Sequence, residues 1–294
     1  MTILVTGASG LLGAALQRSA PATARLLLTA HPDDCTQPHM LPLDITDARA
    51  ARTLVERMQP TVIIHAAAAS SVDWCEEHPD KARAINTDAA IHFSRLAQAS
   101  GARFIFISSN AVYGSGARHR EDEPTAPVNE YGRTKADAET NIQAINPSGI
   151  IIRPNLMFGF PPPGGRDNQV SRVLNALSAH QTINVVNDTY FSPIASDIVA
   201  LMIWQLIPQQ LTGIINIGSA ERMTLYELSR LTARVFGLDE KLLEPISHRN
   251  TSAPAPRAID TSYDISRLQS LVGTIPSING QLALLERQLS DVGA

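Results

Sequence analysis

Tyr131 and Lys135 stand four residues apart in Tyr131-Gly132-Arg133-Thr134-Lys135, a spacing that sets both side chains on one face of a helix. A lysine ammonium near a phenol favours the phenolate and lowers its pKa. The tyrosine then becomes a proton donor or acceptor near neutrality, and the same lysine can bind a nicotinamide ribose. Earlier in the chain, Ser108-Ser109-Asn110 ends an apolar run; a hydroxyl there would point into the same cleft. Taken alone, the tyrosine–lysine pair fits an ordinary surface helix. Its order after a glycine-rich turn is what makes it specific.

That turn is Thr6-Gly7-Ala8-Ser9-Gly10-Leu11-Leu12-Gly13, directly after the first apolar run. Its glycines are spaced G-x-x-G-x-x-G rather than G-x-G-x-x-G. Gly7 permits a tight turn, Gly10 lets backbone amides approach a pyrophosphate, and Gly13 lets the following helix pack close to the strand. A packing turn without a ligand is the alternative. The position after a first strand favours dinucleotide binding, with contacts expected from Gly7, Ser9, Gly10, Leu11, Leu12 and Gly13.

The second strand runs out as Leu28-Thr29-Ala30-His31, without the carboxylate that usually holds the adenosine ribose hydroxyls. Its absence removes repulsion from a 2′-phosphate, and His31 can offer a polar or cationic contact. NADP(H) is therefore expected ahead of NAD(H), although Asp33 or Asp34 could still reach a ribose. Asp44, with Ile45 after the third strand, is placed to accept from the adenine amine; the other reading is a cap for a helix starting near Asp47.

The elements that must position these groups follow a strand–helix alternation. Strands are expected at Thr2 to Val5, Arg25 to Thr29, Val62 to His65, Arg103 to Ser108 and Gly149 to Arg153. A helix is expected over Asp80 to Ala99, with Gly101 just past its end. Such units imply an α/β fold of the Rossmann type, a doubly wound parallel sheet with ligands outside the carboxyl ends of its strands. Phe158 to Gly165 reads FGFPPPGG, which can be neither helix nor strand interior. Residues 1–155 are read as the dinucleotide-binding domain, with part of the later chain returning to it. Residues 156–294 are read as mainly a smaller mixed α/β substrate-binding portion. There, helices are expected at Val170 to Ala179, Ala195 to Leu206 and Leu225 to Phe236, and strands near Ile183 to Val186 and Gly213 to Ile217. A second proline-broken loop, Thr251 to Pro256, precedes a C-terminal helix.

Composition narrows the function classes. Hydrophobic residues make up 44% of the 294, charged residues 18%, and the net charge is −4, so neither a nucleic acid nor an anionic membrane is an expected partner. The start of the sequence carries no export-signal pattern, and no run approaches the roughly 20 apolar residues of a membrane span. A cytoplasmic protein is expected. Cys35 and Cys75 are too few for a disulfide framework and read as reduced thiols, and the Asn187-Asp188-Thr189 sequon carries no weight without export. No clustered ligand motif supports a metal.

TGASGLLG, VIIHAAA (Val62 to Ala68), FISSNAVYG (Phe106 to Gly114) and YGRTK together resemble the extended short-chain dehydrogenase/reductase family. Within it the chain is most similar to the dTDP-4-dehydrorhamnose reductase, or sugar-nucleotide-binding, group. Ala84-Ile85-Asn86-Thr87 and the segment Val185 to Pro193 extend the resemblance over nearly the whole chain. It implies a catalytic set of Ser109, Tyr131 and Lys135, Ser109 being chosen over Ser108 because it stands three residues before Val112. It also implies cofactor contacts from Ala66, Ala67, Ala68 and Asn86 besides Tyr131 and Lys135. The activity implied is reduction of a nucleotide-linked keto-deoxy sugar, with hydride from the nicotinamide and the proton from Tyr131.

Substrate contacts are expected from Ser109, Asn110, Asn155, Asn168, Arg172, Asp188, Tyr190 and Arg257. All but the first two rest on segment position, and Arg257 also on the fit of a guanidinium to phosphate. Two departures from the family stand out. Asn110-Ala111 replaces the Asp-Glu of its dehydratases, leaving no acid to protonate a leaving hydroxyl. Thr189 and Phe191 stand where the rhamnose-type reductases have glutamine and glycine. An NAD-dependent sugar-nucleotide epimerase and a non-catalytic NADP-binding regulatory subunit are the alternatives, and a homodimer is compatible with the apolar helices.

Overall fold

The computed structural model describes residues 1–35 and 37–292. One sheet holds seven strands: β1 Thr2–Thr6, β2 Arg25–Ala30, β3 Met40–Pro42, β4 Val62–His65, β5 Arg103–Ile107, β6 Ile150–Pro154 and β7 Gly213–Ile217. Their spatial order is β7-β6-β5-β4-β1-β2-β3, and every neighbouring pair is parallel. Chain direction across the sheet reverses between β1 and β4, so a crevice opens at their carboxyl ends. Thr6 is in register with Thr29 on one side and His65 on the other, which brings the three strand ends level beneath that crevice.

Successive strand residues point to opposite faces, and here both faces are covered. Ile3, Val5, Ile105 and Ile107 enter one core with Leu12 and Leu16 of the helix Leu11–Arg18 and with the helix Ser196–Leu206. Leu4, Ile63, Phe104 and Phe106 enter the other, against Val55, Phe93 and Ile142 of the helices Ala48–Met58, Ala89–Ser100 and Glu130–Ile145. This two-sided burial is why the strands read as unbroken apolar runs. A third, smaller core joins Val173, Leu177, Val185, Ala233 and Leu243, where the strand Ile183–Val186 pairs with Leu243–Ile246. β7 lies beside β6 in the main sheet although it comes after much of this portion.

Three elements differ from the sequence reading. β3 is an edge strand of three residues, too short to show any period. The helix expected over 80–99 is interrupted: Pro79–Arg83 gives way to a π-helical turn at Ala84–Asp88 before Ala89–Ser100. The wider turn places Asn86 and Thr87 inward, and Thr87 donates to the Thr134 carbonyl at 2.7 Å. The helix then ends at Gly101 with φ 71°, as the glycine suggested. The C-terminal helix is two, Ser266–Val272 and Ile278–Val292, separated by Gly273 at φ 81° and by Pro276. No helix among the described residues is long and apolar enough to cross a membrane.

Candidate active site

The glycine turn is closed by contacts that only glycine allows. Gly7 has φ 70°, and a Cβ there would lie 2.7 Å from the Ala67 backbone; a Cβ on Gly13 would lie 2.4 Å from the Gly7 carbonyl oxygen. The turn therefore packs directly on the loop after β4. The helix Leu11–Arg18 starts at Gly10 with no side-chain cap, whereas Asp47, Asn129, Asn168 and Thr224 each cap their own helices. Its first-turn amides and positive dipole end are left to whatever anion enters the crevice. This cradle fits a dinucleotide pyrophosphate.

Beneath the turn, the His65 ring and the Ala67 amide both bond Thr6 Oγ1, at 3.0 and 3.2 Å. His65 is sealed against Phe93, Phe104 and Phe106. Burial, and secondarily the Lys135 charge, push its pKa down to about 3, so the ring stays neutral in ordinary buffers.

The pocket beside the turn where the adenosine is expected is lined by Thr29, His31, Asp34, Asp44, Ile45 and Ala67 to Ala69. The Asp44 carboxylate accepts from the Thr46 amide and hydroxyl at 2.8 and 2.7 Å, which holds its pKa below the usual range. Asp47, not Asp44, caps the helix Ala48–Met58. His31 accepts from the Asp33 amide at 3.3 Å, and Asp33 and Asp34 face the wider cleft with Ser9 and Gly10. The carboxylates missing from the end of β2 thus return one short turn later. Asn86, expected to touch the cofactor, is 1% exposed. It instead bonds both backbone groups of Ala69, at 2.9 and 3.1 Å, and donates to Thr134, tying the β4 loop to the helix Glu130–Ile145.

At the end of β5, Ser109 caps a short turn over Asn110–Val112, its Oγ accepting from the Ala111 amide at 3.1 Å. Opposite, Asn129 starts the helix Glu130–Ile145 by accepting from the Gly132 amide at 2.9 Å. Gly132 itself rests on the Ala111 carbonyl, and this contact sets Tyr131 beside Ser109. Loss of water around the phenol raises the Tyr131 pKa to about 12, against the opposing pull of a hydrogen bond from Ser109 and of the Arg166 charge. Ser108 is buried away from this pair, and its Oγ finds no partner among the described residues.

Lys135 is 1% exposed. Its Nζ donates to the Ile107 carbonyl at 2.7 Å and lies 4.4 Å from the Phe106 ring centre. Burial lowers its pKa to about 7, opposed by the Glu139 carboxylate one helical turn on. The expectation that this lysine depresses the phenol is corrected here. Its ammonium is committed to the end of β5, and desolvation of the phenol outweighs the charges around it.

Ser109, Asn110, Tyr131 and Arg257 share one pocket. Asn155 sits behind it, fully engaged with the Thr261 carbonyl and the Leu156 and Ser192 amides. Tyr190 lies outside, its ring 3.5 Å from the Arg222 guanidinium carbon. The other expected substrate residues do not line the pocket. Asn168 caps the helix Gln169–Ser178 and bonds Gly159; Arg172 donates to the Asn184 carbonyl; Asp188 clips Ser247 and His248. Sequence reasoning passed over Arg166, which the proline loop carries to the cleft opposite Ser9 and Gly10. It also passed over Asp73, which holds Arg257 at 2.9 Å. The signal for Arg166 was a lone cation in a proline–glycine loop. Among the described residues, no group of three or more His, Cys, Asp or Glu could hold a metal ion.

A family model described as RmlD substrate binding domain matches residues 1–285. The dTDP-4-dehydrorhamnose reductase of Streptomyces griseus is 31% identical, covering 96% of this chain and 91% of its own. The methionine adenosyltransferase 2 subunit beta of Xenopus tropicalis is 28% identical over 91% of this chain and 81% of its own. Among solved structures, dTDP-4-dehydrorhamnose reductase from Bacillus anthracis in complex with NADP superposes with a TM-score of 0.88 at 24% identity, covering 98% of this chain and 99% of the other.

Proposed function

The chain belongs to the RmlD substrate binding domain family, and from that premise we propose that it is an NAD(P)H-dependent reductase of a nucleotide-linked keto-deoxy sugar, with NADP(H) as the expected cofactor. The observation that carries this reading is the meeting of Tyr131 and Ser109 at one pocket, beside an uncapped glycine cradle that fits a pyrophosphate.

A bound nicotinamide would supply the hydride. The chain's own residues handle binding and the proton. The Leu11, Leu12 and Gly13 amides of the uncapped first turn would hold the pyrophosphate, and Ala67 to Ala69, Asp44 and Ile45 would wall the adenosine side. Tyr131 is fully protonated at neutral pH and gives its proton to the ketone oxygen as an alkoxide forms there. Ser109 donates a hydrogen bond to the same oxygen, stabilising the developing charge. Lys135, held at the Ile107 carbonyl by one N–H, would offer its remaining N–H groups to a ribose hydroxyl. We assign residues 1–155, with the returning helix Ser196–Leu206 and β7, to the cofactor, and the rest of 156–294 mainly to the substrate.

The test is oxidation of NADPH and of NADH against a panel of nucleotide-linked 4-keto-6-deoxy sugars. Turnover supports the reading. Silence with every sugar, together with stoichiometric capture of an adenosyltransferase, would favour the non-catalytic alternative, a subunit of a larger enzyme as the Xenopus relative's name states for that protein.

A further inference from the structure

The pocket that holds Ser109 and Tyr131 is walled by hydrocarbon. Val72, Val128, Leu156, Phe191, Leu225 and Ala258 line it. At about 260 Å³ it falls just short of the ~300–1,000 Å³ of clefts that enclose drug-sized ligands. It is sized for one sugar ring and not for a whole nucleotide sugar.

Several of its polar groups are engaged with the protein itself. Asn129 accepts from the Gly132 amide and donates to the Pro256 carbonyl. Asn110 accepts from Ser109 and donates to Thr261 Oγ1 at 2.7 Å. Arg257 donates to Asp73 and to the Ala255 carbonyl. With Tyr131 and Ser109 on the reacting carbonyl, a ring hydroxyl turned towards Val72, Val128, Leu156, Phe191 and Leu225 faces hydrocarbon. A hydroxyl stranded there loses its water and gains nothing in return.

Phe191 is the fixed part of that wall. Its strand, Tyr190–Phe191, pairs with Met223–Thr224, and Tyr190 is pinned on the other side by Arg222, itself bonded to Asp260 at 2.7 Å. The two residues point to opposite sides of the strand, so the backbone that carries Phe191 is held in place while its ring faces the pocket.

We propose that this site selects a nucleotide-linked dideoxy ketosugar, one lacking a ring hydroxyl in addition to that at C6, and that Phe191 sets the preference. The inference rests on the reductase reading and narrows its substrate class. A hydrocarbon wall rejects an added hydroxyl only moderately, so the expected preference in kcat/KM is about 10- to 100-fold.

The experiment compares NADPH oxidation with matched pairs of nucleotide-linked 4-ketosugars, 6-deoxy against 2,6-dideoxy and 3,6-dideoxy, in the parent, Phe191→Ser and Phe191→Leu. Preference for a dideoxy sugar by about tenfold or more, retained in Phe191→Leu and cut to about threefold or less in Phe191→Ser, supports the inference. Equal or better use of the 6-deoxy sugar by the parent overturns it while the reductase reading stands. A preference that survives Phe191→Ser overturns the role of Phe191. No turnover of any ketosugar overturns the reading and this inference together.

Discussion

Gly132→Ala should disable the enzyme without touching a reacting atom. A Cβ at Gly132 would lie 2.1 Å from the Ala111 carbonyl oxygen and 2.9 Å from Pro127 Cβ. Relieving the first contact takes about 1 Å of movement. No flexible side chain can absorb it, because the oxygen belongs to the backbone of the turn that Ser109 caps. The helix start and that turn must separate, carrying Tyr131 away from Ser109. A misplacement of about 1 Å at a reacting constellation costs on the order of 10²-fold, and overpacking of this kind costs about 1–3 kcal/mol of stability. The expected result is kcat/KM down about 100-fold with NADPH affinity within about threefold of the parent, since the glycine cradle lies on other elements. Gly101→Ala serves as the comparison: its Cβ would meet nothing within 4 Å, although φ is +71°. It should lose about 1 kcal/mol of stability and no activity. Near-parental kcat/KM in Gly132→Ala would refute the claim that this contact sets the Tyr131–Ser109 geometry.

Arg166 makes no hydrogen bond or ion pair among the described residues and faces the cleft with Ser9 and Gly10. Arg166→Ala should raise the KM of the diphosphate it grips, cofactor or sugar nucleotide, by about tenfold or more; separate KM values for the two ligands check this, and both unchanged would contradict it. His65 gives a pH prediction. Its pKa is about 3 folded against 6.5 in a model peptide, so below about pH 6.5 the unfolded chain takes up a proton that the native one refuses. This contribution to stability is complete above pH 6.5 and is lost as pH falls, at up to about 1.4 kcal/mol per unit. Urea unfolding from pH 7 to 4 should show the slope, reduced in His65→Leu; identical slopes would remove His65 from the account.

What the sequence revealed about this site was local. The glycine turn, its helix and the four-residue spacing of Tyr131 and Lys135 are fixed by neighbours along the chain, and each emerges where the residues placed it. What stayed hidden depended on distant partners. Asp188 reads as a free carboxylate until Ser247 and His248 meet it from about 60 residues away, and Asn155 until Thr261 does. Asn168 reads as a ligand contact, but its side chain starts a helix. Lys135 was legible as a cation, but not the burial that commits it to the Ile107 carbonyl. The walls of the pocket at Ser109 and Tyr131 come from seven separate stretches of chain, and no period announces them.

Tyr131 gives the proton when a sugar ketone is reduced, and Tyr131→Phe removes that proton while leaving the ring in place. With NADPH and a nucleotide-linked ketosugar that the parent turns over, kcat should fall by on the order of 10²-fold or more, with unchanged cofactor binding and melting behaviour. Turnover near the parent's in that folded, cofactor-binding variant would contradict it.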